Sequence, residues 1–317
     1  MSSLLVHIGA HKTGTTAIQK SCHSGRRGLA RAGVIYPRCN WYHYAQHRLA
    51  FAMRGMRDPD TNAVPDLQQE LAALQDAIAA APENAQILIS SEEFFAAAPA
   101  AIARLHAALA GVQTRILAVT RRPDALFLSM YNQNVKSPQN GFHRRVEAFL
   151  EDPLKLHRDM NQRACVENWA DAFGDDALLL RRYEDAPPLV MLLETLALPP
   201  DLLPAPASVN PSVPAAVAEV MRLSKMTGIA AELRADLYML ANEIFAGGAV
   251  LALPDATRKI ILTRLQPDLE ALFARFGMEN TYRPEYLETT DTTMSETKPA
   301  FVLARILEYL LRERRGG

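Results

Sequence analysis

Residues 4–20, LLVHIGAHKTGTTAIQK, decide the fold that this sequence predicts. The segment opens with an apolar run broken only by His7, which is typical of a strand buried on both faces. Gly9 ends this run, a loop of small and polar residues follows, and a helix can begin near Thr15. Free backbone N–H groups and the positive end of the helix dipole would converge there on one anion. The segment therefore predicts a phosphate-binding loop.

The basic residue of this loop lies inside it rather than at its end. The P-loop pattern G-x-x-x-x-G-K-[ST] can be aligned at Gly9, Gly14 and Thr16, but Thr15 then stands where the pattern has lysine. The lysine is instead Lys12. This displacement argues against an ordinary metal-dependent NTPase.

Apolar runs and helical spacings alternate along the chain beyond this loop. Strands are predicted at 34–36, 87–90, 113–120 and 177–180, and helices at 15–32, 47–56, 66–81, 98–110, from Pro123, and at 161–173. This alternation predicts an α/β fold, with a P-loop-like parallel sheet flanked by helices. Ligands bind at the carboxyl ends of such strands, so 9–16, 90–93 and 120–123 should converge.

The later part of the chain is predicted to be mainly helical. We expect residues 1–200 to form the α/β core with the phosphate site, and 201–288 to be a helical C-terminal part of the same domain. Residues 289–317 are expected to form a linker and a closing amphipathic helix at 301–315.

Composition describes an ordinary globular protein and excludes several classes. The 317 residues are 49% hydrophobic and 22% charged, and the net charge of −1 gives no pull toward nucleic acid. Three scattered cysteines fit a reducing cytosol rather than a disulfide framework or a zinc site. We expect a cytoplasmic protein without a leader, a membrane span or a nucleic-acid partner.

The hexapeptide H-K-T-G-T-T resembles the 5′-phosphosulfate loop of sulfotransferases, which use 3′-phosphoadenosine 5′-phosphosulfate (PAPS) as sulfuryl donor. The usual form of that loop is P-K-[ST]-G-T-T, and the variant with histidine in place of proline resembles bacterial members. The resemblance implies PAPS as co-substrate and requires no metal. The donor-binding residues that it implies are His11, Lys12, Thr13, Gly14, Thr15 and Thr16.

An arginine and a serine lie eight residues apart across a predicted strand-to-helix turn, at Arg121 and Ser129. Such a pair can grip one phosphate from two sides. Their spacing resembles the sulfotransferase 3′-phosphate site. Tyr183, within R-Y-E-D, resembles the tyrosine that lies near the adenine. Ala17 departs from the cytosolic hormone-type members, which have tryptophan there, and their C-terminal R-K-G motif is also not apparent.

The base that would deprotonate the acceptor has several candidates. Glu92, at a predicted strand end, resembles the glutamate base of carbohydrate-type sulfotransferases, and His47 is a second catalytic candidate. Glu93 and His43 stay open as alternatives, and we expect one of the two neighbouring carboxylates to face solvent. Lys12 would stabilise charge on the leaving phosphate.

The sequence thus predicts a PAPS-dependent sulfotransferase that acts on a hydroxyl or amine. The acceptor, whether a small molecule, lipid or carbohydrate, is left open, and a homodimer is one option for the assembly. The alternatives are a P-loop small-molecule kinase and a nucleotide-binding protein with a vestigial donor site.

Overall fold

A parallel five-stranded sheet forms the centre of the chain. The computed structural model describes residues 2–204 and 213–287, together with Leu303 and Ile306. Every strand pairing in the sheet is parallel, and the strand order is β2-β3-β1-β4-β5. The predicted α/β class is confirmed. The strands are β1 Ser3–His7, β2 Val34–Ile35, β3 Gln86–Ser90, β4 Gln113–Thr120 and β5 Leu178–Arg182.

Helices connect the strands and follow them in the chain. They are α1 Thr15–Ser24, α2 Arg26–Arg31, α3 His47–Arg54, α4 Leu67–Ala79, α5 Pro99–Ala108, α6 Pro123–Lys136, α7 Gln162–Phe173, α8 Pro188–Thr195, α9 Ala215–Met226, α10 Ala231–Ile244 and α11 Asp255–Arg275. None of the helices in the described ranges has the length and apolarity that a membrane crossing requires. The predicted linker and closing helix lie outside the described residues, apart from Leu303 and Ile306.

The prediction of a single helix at 15–32 is wrong in one respect, because the structure has two helices there, separated at Gly25. The amide of Gly25 donates to the Ser21 carbonyl and ends α1. A Cβ atom at this position would lie 2.2 Å from Cδ2 of Leu203, so only glycine allows this approach. The chain turns here and begins again as α2.

The described residues form two compact units. The first consists of 2–122, 158–204 and 267–280 and contains the whole sheet. Its core joins strand residues such as Leu5, Leu88 and Leu117 to helix residues such as Ile18 and Leu192. The second unit consists of 123–157, 213–266 and 281–287 and is helical. The domain limits that the sequence suggested stay a prediction.

The carboxyl edge of the sheet gathers the segments that sequence reasoning selected. His7 lies in register with Ser90 on β3 and Leu117 on β4. Beyond β1, the amide of Ile8 donates to the Leu117 carbonyl at 2.9 Å, and that of Ala10 to the Val119 carbonyl at 3.1 Å. The loop that starts at Gly9 therefore leaves the sheet along β4.

Candidate active site

The loop between β1 and α1 has a backbone suited to an anion. Lys12 and Gly14 have left-handed φ angles of 66° and 77°. Thr13 is buried, and its hydroxyl donates to the Ala10 carbonyl at 2.6 Å. Gly14 stands at the N-cap of α1, and among the described residues no side chain caps this helix end. The first amides of α1 have no acceptor within the helix, so they are suited to bind a phosphate.

His11 is held by carboxylates rather than pointing away from the protein. One oxygen of Asp159 accepts from the His11 amide at 2.7 Å and lies 2.8 Å from its Nδ1. The other ring nitrogen, Nε2, lies 3.1 Å from Oε1 of Glu93. Burial by itself would lower the pKa of His11, but the hydrogen bond and charge of Asp159 and the charge of Glu92 outweigh it and raise the pKa. These contacts anchor the loop immediately before Lys12.

Arg121 is fixed at the end of β4 from several sides. Its Nη1 donates to the Lys12 carbonyl at 2.6 Å, and its guanidinium carbon lies 4.7 Å from the centre of the Tyr183 ring. The buried side-chain amide of Gln162 accepts from the Arg121 amide and donates to its carbonyl, both at 2.8 Å. Within the described part of the chain, the buried Nε of Arg121 has no hydrogen-bond partner. An anionic oxygen, such as one of a phosphate group, could accept a hydrogen bond from this Nε.

Sequence reasoning missed Gln162 and Asp159. Neither belongs to a recognisable motif, and each acts through a segment that is remote in sequence, 41 residues away for Gln162 and 148 for Asp159. Gln162 is the first residue of α7. The sequence signal for the start of α7 is its N-cap, Asn161, whose side chain accepts from the Ala164 amide.

Ser129 lies on α6 with the neighbours that helical spacing predicted. Ala125, Asn132 and Lys136 share its partly exposed face, and buried residues take the other side. The buried set is Leu126, Phe127, Met130 and Tyr131. Ser129 belongs to the second unit and Arg121 to the first. Their joint grip on one phosphate stays a prediction.

Glu92 opens a short 3-10 turn after β3, Glu92–Phe94. Its Oε2 accepts from Nε2 of Gln19 at 2.6 Å and lies 4.0 Å from Nδ1 of His47. Burial would raise the pKa of this carboxyl, but the charges of His47 and His11 and the Gln19 hydrogen bond lower it. Glu92 is thus a carboxylate near neutral pH and can accept a proton.

His47 and Glu93 have other partners. His47 is buried, its Nδ1 lies 2.8 Å from the Ser91 hydroxyl, and burial lowers its pKa. Glu93 pairs with Arg54, whose side chain is 6% exposed, as well as with His11. The expectation that one of the two glutamates faces solvent is wrong, because their side chains are only 18% and 15% exposed. Glu93 is engaged in ion pairs, which leaves Glu92 as the better-placed base.

His43, the remaining base candidate, is exposed and has a left-handed φ of 57°. Its ring centre lies 4.1 Å from that of Tyr42. Since its described contacts include neither glutamate, the structure gives His43 no direct link to the candidate base.

Comparison with known proteins adds little to this geometry. No protein-family model and no curated protein matches the chain. Among solved structures, the chain is similar to the crystal structure of a sulfotransferase from Alicyclobacillus acidocaldarius, with a TM-score of 0.49 and 14% sequence identity. The similarity covers 87% of this chain and 96% of that chain. A likeness at this TM-score carries no argument about the reaction, so the proposal below stands on the residues of the site.

Proposed function

We propose that this chain is a sulfotransferase that moves a sulfuryl group from PAPS to a hydroxyl or amine of a small-molecule, lipid or carbohydrate acceptor. One observation carries the proposal: the guanidinium of Arg121 donates to the carbonyl of Lys12, inside the phosphate-binding loop. This bond holds Arg121, at the end of β4, against the loop that carries Lys12. This arrangement suits a ligand with two separate phosphate groups.

Each phosphate group of the donor would bind a different set of these residues. Lys12 and the first amides of α1 would hold the 5′-phosphate, and Arg121 with Ser129 would bind the 3′-phosphate. Thr13, Thr15 and Thr16 belong to the same loop, and the ring of Tyr183, already stacked on Arg121, would lie near the adenine. His11 would contribute by fixing the loop through Asp159.

The transfer itself forms one bond and breaks one. The acceptor oxygen or nitrogen attacks sulfur, and the bond between sulfur and the bridging phosphate oxygen breaks, so its electron pair remains on the 5′-phosphate. The acceptor proton passes to the carboxylate of Glu92. Lys12 and the loop amides stabilise the charge that develops on the leaving phosphate.

Thermal unfolding with the donor product, 3′,5′-adenosine bisphosphate, tests the donor site without any acceptor. A ligand at about 100 times its dissociation constant stabilises a protein by roughly 2.7 kcal/mol, which raises the melting temperature by a few degrees. We expect this shift without added metal and a smaller one with 5′-AMP. Stabilisation by Mg-ATP alone would support the kinase alternative, and no response to any nucleotide would overturn the proposal in favour of a vestigial site.

Transfer from radiolabelled PAPS to a panel of alcohols, phenols, sugars and amines tests the reaction. We expect Lys12→Ala to lower the transfer rate by about 100-fold or more, the range found when one donor to a developing oxyanion is removed. Lys20→Ala, which changes an exposed lysine on α1, the helix that follows the loop, is the matched control. Equal rates for the two variants would remove Lys12 from the proposed mechanism.

A further inference from the structure

Gln19 links the helix of the donor loop to the candidate base. It lies on α1 one turn after Thr15, is 0% exposed, and donates from Nε2 to Oε2 of Glu92 at 2.6 Å. Gln19 is the side chain that donates to this carboxylate among the described residues, the Glu92 backbone amide also bonds to it, and the Glu92 side chain keeps 18% of its surface exposed. Gln19 therefore holds Oε2 of a carboxylate that is still partly exposed.

Packing alone does not account for a glutamine at this position. Its own carbonyl oxygen, Oε1, is buried and has no hydrogen-bond partner in the described ranges. A buried acceptor without a partner costs about 1–3 kcal/mol, and an apolar side chain of similar length would avoid that cost. The amide donor to Glu92 is what an apolar side chain could not supply.

We propose that Gln19 is a positioning residue that orients Glu92 for proton transfer and keeps it ionised. This role rests on the proposed function, in which Glu92 is the base. An amide donor stabilises the carboxylate form and fixes Oε2, so that Oε1 faces the acceptor. Because Gln19 lies on α1, whose first amides would bind the phosphate, one helix would set the distance between the leaving group and the base.

Other ionisable groups on the surrounding elements interact with the charge of Glu92, and their titration also affects a pH profile of activity. His47 on α3 is the nearest, with Nδ1 4.0 Å from Oε2. The further groups that interact with its charge are His7, His11, Tyr36 and Tyr44. A substitution of Gln19 alone removes none of these groups.

The test is the pH dependence of transfer in Gln19→Met, with Gln68→Met as the control at an exposed glutamine. The base must be ionised, so activity rises with pH through the pKa of Glu92. Loss of the amide donor raises this pKa, and we expect the acid limb to move up by roughly one pH unit. Loss of orientation should lower kcat by up to about 100-fold, while the Kd for 3′,5′-adenosine bisphosphate stays unchanged.

Two further results keep the test decisive. Gln19→Glu places a second carboxylate against Glu92 and should move the acid limb further in the same direction, which gives a second measurement if the methionine variant does not fold. If the wild type is active and the Gln19 variants have the same kcat and the same acid limb as the Gln68→Met control, the proposed role of Gln19 is wrong. The proposed function would then still stand. A wild type that binds the bisphosphate but transfers no sulfuryl group to any acceptor overturns the proposed function, and this role with it.

Discussion

Neighbouring glutamates after β3 have different hydrogen-bond and ion-pair partners. Glu93 forms ion pairs with Arg54 and His11, whereas Glu92 accepts a hydrogen bond from the neutral amide of Gln19. His47 lies 4.0 Å from Oε2 of Glu92, so both carboxylates have ionisable neighbours, but of the two Glu93 is the one paired with an arginine. The sequence favoured Glu92 through its resemblance to a glutamate base and left Glu93 as an alternative, because two adjacent acids after a strand carry no signal of their partners.

At the scale of single residues, His11 should make stability depend on pH. Asp159 raises the pKa of His11 in the folded chain despite the opposing effect of burial. The folded state therefore binds the proton more tightly than the unfolded state. The contribution of His11 to stability is fully present below the ordinary pKa of about 6.5 and is lost as the pH rises through the folded pKa.

Urea unfolding of wild type and His11→Gln between about pH 5 and pH 9 measures this contribution. We expect the difference in unfolding free energy to be largest at the acid end and to shrink as the pH rises. Asp159→Asn removes the carboxylate and should abolish the same pH-dependent part. A difference that stays constant across this range would contradict the assignment.

At the scale of elements, the start of α1 depends on Gly14. Its φ of 77° is left-handed, and a Cβ atom would lie 2.5 Å from Cγ of Pro188. Gly111 has a similar φ of 83°, but a Cβ there would meet nothing within 4 Å. Substitutions at these two glycines therefore distinguish the cost of a left-handed backbone from the cost of crowding by the added Cβ atom.

Comparison of Gly14→Ala with Gly111→Ala isolates the crowding at the loop. Gly111→Ala should lose about 1–2 kcal/mol of stability, the cost of a left-handed residue with a Cβ atom. Gly14→Ala should lose more than that and should also weaken binding of 3′,5′-adenosine bisphosphate, because Pro188 or the loop must move. Equal losses from the two variants would show that the contact with Pro188 has no effect.

The C-terminal end of α6 is closed by a buried lysine from α9. Nζ of Lys225 donates to the carbonyls of Asn134 and Val135 at 2.8 and 2.6 Å and to Oδ1 of Asn140 at 2.9 Å. Lysine near a helix C-terminus satisfies the last carbonyls and complements the helix dipole. This contact fixes α6 against α9 within the second unit.

Lys225→Met should therefore destabilise the protein by roughly 1–3 kcal/mol, because it leaves buried carbonyls without a donor. Calorimetry of this variant beside Lys259→Met, at an exposed lysine of the same unit, provides the measurement. A Lys225→Met melting temperature equal to that of the control would mean that water replaces the ammonium without cost.

At the scale of the whole molecule, the sequence predicted the sheet and the loop well but not what holds the loop. β4 has the bounds 113–120 that its apolar and β-branched residues indicated, since such runs fit a buried strand. Gln19, Asp159 and Gln162 escaped notice because an amide or a carboxylate gains its role from a remote partner. The close approach of Leu203 to Gly25 likewise involves a residue that is remote in sequence.

Hydrogen exchange with and without 3′,5′-adenosine bisphosphate should map the proposed donor site over the whole chain. We expect slower exchange at 9–18, 120–122 and 183, which are separated in sequence and lie at the carboxyl edge of the sheet. Helix α10, Ala231–Ile244, serves as the internal reference because it lies in the second unit and contains none of the proposed donor residues. Protection that is uniform along the chain would indicate general stabilisation rather than a local site.

The bond between His11 and Asp159 also sets an order of events during synthesis. The two residues are 148 positions apart, and at 5–20 residues per second a ribosome needs roughly 7–30 s to make the intervening chain. A nascent chain in that interval has the strand and the helix of the loop but lacks the carboxylate that anchors it. A nucleotide would therefore find no anchored site until Asp159 has been made.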